Sequence, residues 1–132
     1  MIYNISMVYL VDDDVDDLDI MKEALYAHSY KGPVSSAANG KMLLDKLSSH
    51  KETPDVIVMD LNMPVKNGFE TLKEIKANST LKDIPVIILT ASSNKMDEAR
   101  CYELGCDYYY NKPMSISDYV PLVQMIKRFI AA

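Results

Sequence analysis

Short apolar runs, each followed by polar residues, recur along this chain and restrict the architectures open to it. Between them lie segments whose apolar residues return every three or four positions, as on one face of a helix. Strand and helix patterns that alternate in this way predict a parallel sheet with helices on both faces. The runs at Val56–Met59 and 86–89 are apolar throughout, as expected of strands covered on both sides. We therefore expect an α/β fold whose strands end at a common edge.

The predicted elements alternate from the first strand to the last helix. The first run is Val8–Val11, and a helix begins near Val15 and ends before Gly32 and Pro33, which break helical hydrogen bonding. The later elements are a strand at Val34–Ala37, a helix after Gly40, a strand at Val56–Met59, a helix carrying Phe69, Leu72 and Ile75, a strand at 85–89, a helix at about 94–104, a strand at 107–110 and a last helix carrying Val120, Val123, Ile126 and Ile130.

The start of the last helix has two candidate caps, Ser115 and Ser117. Ser115 and Asp118 have capping-box spacing, but Pro121 would then fall beyond the first turn and remove a hydrogen bond. We therefore predict that Ser117 caps this helix.

Two adjacent aspartates, Asp12 and Asp13, follow the first apolar run directly. Neighbouring carboxylates at a strand end repel each other unless a cation or a basic side chain neutralises them. Mg²⁺ suits such a site, because it takes oxygen ligands and keeps several waters and a phosphate oxygen. The next acids, Asp14, Asp16 and Asp17, have a simpler explanation, since acidic residues favour the first turn of a helix.

A calcium-binding EF-hand is an alternative for the same stretch. Counted from Asp12, the acids Asp14, Asp16 and Glu23 fall at ligand positions of such a loop. However, Asp17 stands where a glycine must make the sharp turn, and a strand pattern precedes the loop instead of a helix. The pattern therefore disfavours an EF-hand.

Three further polar residues, Asp60, Thr90 and Lys112, lie at or just past the ends of other apolar runs. Open α/β sheets bind ligands at the carboxyl ends of their strands, so these residues should share one site with the paired aspartates. There a carboxylate can attack phosphorus, a lysine can neutralise a phosphate oxygen, and a threonine hydroxyl can turn toward the same group. The sequence therefore predicts a phosphate site with Asp60 as its nucleophile.

In these motifs the chain resembles the receiver domain of two-component response regulators over nearly its whole length. The matching pieces are 10–14, 59–64 with Gly68, 89–91 and 105–113, in family order and spacing. The resemblance implies a flavodoxin-like, doubly wound fold, with a five-stranded parallel sheet in the order 2-1-3-4-5 flanked by five helices. It also implies a single receiver domain over residues 1–132, of the stand-alone, chemotaxis-regulator-like type, with no output domain.

The resemblance implies roles for the acids. Asp60 would be the phospho-acceptor, and Asp13 and Asp60 would ligate Mg²⁺ directly together with the backbone carbonyl of Asn62. Asp12 would act mostly through a metal-bound water. Asn62 and Ser92 fall at two variable positions that in this family tune the lifetime of the acyl phosphate.

It implies roles for the remaining site residues too. Thr90, Lys112 and the Ala91 backbone N–H would hold the phosphoryl oxygens. Tyr109 is at the position of the family's switching aromatic, and strand alternation directs it to the face opposite Tyr108 and Tyr110. Thr90 would move toward the phosphate, Tyr109 would fill the vacated space, and the face made by the fourth helix, last strand and last helix would change.

Composition and resemblance together limit the partners. The net charge is −5 and the longest Lys/Arg cluster is Lys127 and Arg128, which disfavours nucleic acid. No apolar stretch approaches a membrane span, and Cys101 and Cys106 lack metal-site spacing. We therefore expect a cytoplasmic protein in which these thiols are buried or half-buried. The expected partners are a histidine kinase or a phosphotransfer protein and a downstream protein target, and the resemblance also admits a homodimer.

Two other functions fit part of the pattern. A haloacid-dehalogenase-like phosphatase also uses a strand-end aspartate and Mg²⁺, but it wants a threonine two residues after its second aspartate, and here that motif is incomplete. An interaction module without phosphorylation is disfavoured, because every residue of the receiver pattern is present. We therefore expect a phosphoacceptor signalling domain that assists its own phosphorylation and dephosphorylation and is not an enzyme.

Overall fold

A computed structural model describes residues 7–49 and 53–130 and confirms the predicted α/β fold. The strands are β1 (Val8–Val11), β2 (Val34–Ala37), β3 (Val56–Met59), β4 (Val86–Thr90) and β5 (Tyr108–Asn111). The helices are α1 (Val15–Ala27), α2 (Gly40–Ser49), α3 (Gly68–Ala77), α4 (Lys95–Glu103) and α5 (Val120–Phe129). Strand and helix alternate along the described chain, as the apolar spacing predicts.

The five strands form one parallel sheet in the order β2-β1-β3-β4-β5, as the family resemblance implies. In the central part of the sheet Val11 pairs with Met59, and Met59 pairs with Ile88. The strand ends are therefore level, and whatever follows β1, β3 and β4 emerges at the same edge.

Successive strand residues alternate between two buried clusters. Val11, Met59 and Ile88 belong to one cluster, which α2 and α3 cover, and their chain neighbours Leu10 and Val58 belong to the other, which α1 and α5 cover. Because both faces of the sheet are buried, the central strands need apolar residues at every position. Cys101 and Cys106 lie in the first of these clusters, as predicted.

The last two strands lie one residue further along than their sequence patterns predict. β4 and β5 extend to Thr90 and Asn111, which pair in register, and the Lys112 N–H still donates to the Thr90 carbonyl at 2.8 Å. The polar character of these residues hides the strand ends from a pattern of apolar residues, although the backbone ladder continues through them.

The predicted cap of the last helix is wrong. A 3₁₀ helix at Ile116–Tyr119 precedes α5, so Ser117 lies inside this turn and Ser115 flanks its start. Ser115 Oγ contacts Asp118 Oδ2 at 2.9 Å. Because α5 begins at Val120, Pro121 falls in its first turn, where the missing N–H removes no helical hydrogen bond.

Within the described residues, no helix is both long and apolar enough to cross a membrane.

Candidate functional site

The carboxyl edge of the sheet brings together the acids that the sequence predicts. The backbone N–H of Asp12 donates to the Ala37 carbonyl of β2, and that of Asp60 donates to the Val11 carbonyl of β1. Each acid thus continues the hydrogen-bonded ladder one step beyond its strand. This placement fixes the position of both Cα atoms before any side-chain contact is made.

Three carboxylates form a compact oxygen cluster at this edge. Asp12, Asp13 and Asp60 each offer an oxygen within 4.8 Å of the others. Asp12 and Asp60 are each only 7% exposed, while Asp13 faces solvent. Hard divalent cations prefer carboxylate oxygens and retain waters on an open side, so this donor set fits such a cation. The strand directly before Asp12 also disagrees with the EF-hand alternative, which needs a helix there.

Lys112, just past β5, is the cation of the site. Its Nζ lies 2.8 Å from Asp12 Oδ2 and 3.2 Å from Asp60 Oδ2, in agreement with the predicted convergence. Its shortest ion pair, at 2.7 Å, joins it to Asp17 Oδ2 in the first turn of α1. Sequence reasoning assigned Asp17 only to the helix terminus. No local pattern in the sequence signals this contact, because an acid in the first turn of a helix is already explained by the helix terminus.

Burial and charge oppose each other at this cluster. Burial is the largest single influence on the pKa of Lys112, and it lowers this pKa. Hydrogen bonds to Asp12 and Asp17 and the charge of Asp60 together outweigh burial, so the pKa of Lys112 lies above its ordinary value. Burial also raises the pKa of Asp12, and the charge of Asp60 adds to this, against hydrogen bonds from Lys112 and the Asp14 N–H. Several acids therefore share one ammonium, and it cannot fully neutralise them.

The carboxylate of Asp60 is held in one orientation. Its Oδ1 accepts the Leu61 N–H at 2.7 Å, while Oδ2 faces Lys112. The following loop must return close to Asp60, because a Cβ at Gly68 would lie 2.5 Å from the Asp60 carbonyl oxygen. The predicted ligand Asn62 is exposed in this loop, and its N–H lies 3.5 Å from Asp60 Oδ1.

Thr90 is fully buried at the end of β4, and Ala91 after it is exposed. The Thr90 hydroxyl oxygen accepts the Ser92 N–H at 3.3 Å. Ser92 Oγ in turn lies 2.6 Å from Asp97 Oδ2 in the first turn of α4. Thr90 is therefore linked through Ser92 to the start of α4.

Tyr109 lies half-buried on β5 and packs against the hydrophobic cluster on the face of the sheet opposite to that of Tyr110, as alternation predicts. Its hydroxyl donates to the Ser92 carbonyl at 3.1 Å, and the Asn111 amide donates to the same oxygen. Its backbone N–H donates to the Tyr102 hydroxyl of α4 at 3.2 Å. These contacts join β5 to Ser92, just after Thr90, and to Tyr102, near the end of α4.

Known proteins match most of this chain in sequence. A family model for the response regulator receiver domain matches residues 8–124. The response regulator Rcp1 of Synechocystis sp. is 34% identical over 129 residues, which cover 94% of this chain and 88% of Rcp1. The polar-differentiation response regulator DivK of Brucella anthropi is 32% identical, over 89% of this chain and 92% of DivK.

Two crystal structures of similar proteins extend the match to three dimensions. The phosphorylated cyanobacterial phytochrome response regulator RcpA superposes with a TM-score of 0.86 at 32% identity, covering 96% of this chain and 94% of RcpA. The Mn²⁺-bound form of Rcp1 superposes with a TM-score of 0.83 at 32% identity, over 94% of this chain and 93% of Rcp1. These matches favour a receiver over the phosphatase-like alternative. The chain belongs to the response regulator receiver domain family of two-component signalling.

Proposed function

We propose that this receiver accepts a phosphoryl group on Asp60 from the phosphohistidine of a histidine kinase or a phosphotransfer protein, in a Mg²⁺-dependent reaction. The observation that carries the proposal is the meeting of Asp60 with Asp12, Asp13 and Lys112 at one edge of the sheet. A buried carboxylate with a fixed orientation, an ammonium at 3.2 Å and two further acids is suited to receive phosphorus from a donor approaching that edge.

In the transfer, an Asp60 oxygen forms a bond to phosphorus as the P–N bond of the donor breaks, and the histidine nitrogen keeps the bonding electrons. Most of the catalysis of such a step is positioning and charge stabilisation. Lys112 would neutralise a phosphoryl oxygen, and the Thr90 hydroxyl and the Ala91 N–H would donate to the others.

Asp13, Asp60 and the Asn62 carbonyl would hold Mg²⁺ directly, with Asp12 acting through a water. When bound, the ion would offset the charge that builds on the phosphoryl oxygens. The oxygen cluster supports this assignment, as does the Mn²⁺-bound form of the similar protein Rcp1.

Phosphorylation would change the face made by α4, β5 and α5. A phosphoryl group adds negative charge and acceptor oxygens, so the Thr90 hydroxyl would move toward the phosphate and Tyr109 would fill the vacated space. Moving a population from 1:99 to 99:1 needs about 5.5 kcal/mol. A protein target that binds the changed face would supply part of this energy.

The test is incubation with acetyl phosphate and Mg²⁺, followed by intact-mass measurement. We expect one phosphoryl group per chain, and none in Asp60→Asn or with a chelator. Asp83→Asn, which removes an exposed acid from the turn before β4, at the opposite edge of the sheet, should label like the unaltered protein. Labelling of Asp60→Asn to the same extent would refute the proposal, and continuous hydrolysis of a phosphomonoester would support a phosphatase instead.

A further inference from the structure

We propose that Asp17 is a positioning residue for Lys112. It holds the ammonium in the resting protein, so that Lys112 competes less with a divalent cation for the carboxylates at the strand ends, and it gives the ammonium up when a phosphoryl group arrives. This inference deepens the proposed function and rests on it.

The ion pair between Asp17 and Lys112 is a tertiary contact between the first turn of α1 and the residue after β5. At 2.7 Å it is as close as the Lys112 contact with Asp12, at 2.8 Å, and closer than that with Asp60, at 3.2 Å. The side chains of Lys112 and Asp17 are 16% and 29% exposed, so solvent screens the pair less than it screens a surface pair. The Lys112 ammonium therefore interacts substantially with Asp17 as well as with Asp12 and Asp60.

A role at the helix terminus does not account for this contact. Asp14 already caps α1, since its side chain accepts the N–H groups of both Asp16 and Asp17. Asp16 is exposed in the same turn and supplies an equal charge near the helix terminus. What distinguishes Asp17 is that its carboxylate reaches Lys112.

The contact should affect two ligands in opposite directions. Without the Asp17 carboxylate, Lys112 would pair only with Asp12 and Asp60, and a divalent cation would have to displace it from the oxygens that the cation needs. The affinity for the cation should therefore fall. A phosphoryl group, by contrast, must draw Lys112 away from Asp17, so losing Asp17 should strengthen the binding of a phosphoryl mimic once the metal is present.

The first measurement is the binding of Mn²⁺ alone to the full chain, followed by the electron paramagnetic resonance of the free ion. We expect Asp17→Asn to bind Mn²⁺ about tenfold more weakly than the unaltered protein. The charge-matched control is Asp16→Asn, which should weaken binding about twofold or less, since its charge is exposed and screened. Asp17→Glu, which keeps a carboxylate in reach of Lys112, should recover most of the affinity.

The second measurement is the binding of beryllium fluoride at saturating Mg²⁺, followed by the fluorine NMR signals of the adduct. We expect Asp17→Asn to bind it several-fold more tightly, and Asp16→Asn to resemble the unaltered protein. A merely structural role for Asp17 would weaken both ligands together, so opposite changes identify a shift in the position of Lys112.

Equal effects of Asp16→Asn and Asp17→Asn would overturn the inference, because the effect would then be one of overall charge. A loss of both affinities in Asp17→Asn would overturn it as well. If this variant does not fold by thermal melting, Asp17→Ser takes its place with the same expectations. Failure of the unaltered protein to bind Mn²⁺ would instead count against the proposed function, so the two failures are distinguishable.

Discussion

Asp12 carries a charge that its surroundings disfavour. It is 7% exposed, and burial raises the pKa of its carboxyl group, with the charge of Asp60 acting in the same direction. Asp12→Asn would remove this charge and keep an oxygen to accept the Asp14 N–H, which now donates to Oδ1 at 2.9 Å. We expect the metal-free variant to be about 1 kcal/mol more stable than the unaltered protein at pH 7, by urea unfolding in a chelator.

The pH dependence of this gain follows from the direction of the shift. Because the pKa of Asp12 is raised in the folded state, its ionisation costs stability as pH rises from the unfolded value of about 4 through the folded value. Below about pH 4 the carboxyl is neutral in both states, so the gain should vanish there. A gain that persists at pH 3, or no gain at pH 7, would contradict this account.

The two thiols should react only when the protein unfolds. Burial raises the pKa of Cys101 to about 11 and that of Cys106 to about 12, with negative charges nearby as further causes. The thiolate is the reactive form, so little of either is available at pH 8. We expect labelling by a disulfide reagent at pH 8 to follow the unfolding rate, and both thiols to react at once in denaturant. Labelling of the folded protein as fast as a free thiol would contradict this.

The sequence predicts well where the strand-end residues lie, because the carboxyl ends of parallel strands all reach the same edge of the sheet. Asp12, Asp60 and Lys112 could be placed together from the pattern of apolar runs alone, and the structure agrees. Asp17 could not, because the acid preference of a helix terminus explains it equally well. Its contact depends on how α1 packs against the 3₁₀ helix and α5, the elements that follow Lys112, and no local pattern specifies this packing.

At the scale of elements, the predictions fail where polar residues continue a regular structure. Thr90 and Asn111 extend their strands, and the 3₁₀ helix before α5 displaces the predicted cap. The strand extensions depend on backbone hydrogen bonds between residues that are distant in sequence. The 3₁₀ helix is a short turn without the apolar periodicity that would reveal it in the sequence. Apolar spacing does, by contrast, predict which strands and helices exist and the order in which they follow one another along the chain.

The junction between β3 and α3 should not tolerate a side chain at Gly68. A Cβ there would lie 2.5 Å from the Asp60 carbonyl oxygen and 2.8 Å from Leu61 Cα, and both are backbone atoms that cannot rotate away. We expect Gly68→Ala to destabilise the protein by about 2–3 kcal/mol in urea unfolding, despite the better helix propensity of alanine. Lys73→Ala, at an exposed position of α3, should change stability by less than about 0.5 kcal/mol. A Gly68→Ala protein as stable as this control would contradict the close approach.

Two side chains of β5 donate to one backbone carbonyl in the segment after Thr90. Tyr109 and Asn111 both donate to the Ser92 carbonyl, so either can satisfy it when the other is lost. We expect Tyr109→Phe and Asn111→Ala each to cost less than about 1 kcal/mol, and the double variant to cost at least about 0.5 kcal/mol more than their sum. Urea unfolding of the four proteins measures this coupling, and strict additivity would show that the two donors act independently.

At the scale of the whole molecule, the strand order places the acid cluster and the α4–β5–α5 face on adjoining parts of one sheet. Thr90 ends β4 beside β5, and its hydroxyl reaches α4 through Ser92 and Asp97. β5 is joined to α5 by the edge-on contact of Tyr108 with Phe129, whose ring centroids are 6.3 Å apart. A change at the acid cluster therefore has a short route to this face. β2 lies at the far end of the sheet, and α2 packs against β2 and α3.

This geometry predicts where the phosphoryl mimic should alter backbone motion. α4 packs lightly, since Cys101 is its only buried residue and Met96 is 78% exposed, so its amides should open at low cost. With beryllium fluoride and Mg²⁺, we expect amide hydrogen exchange in the first turn of α4 and in β5 to slow on the order of tenfold, because Thr90 and Ser92 become fixed. Exchange in α2 and β2 should be unchanged, and Mg²⁺ alone should produce little of the effect at α4. If slowing spreads evenly over all helices, the mimic stabilises the protein as a whole, and the proposed route through Ser92 is wrong.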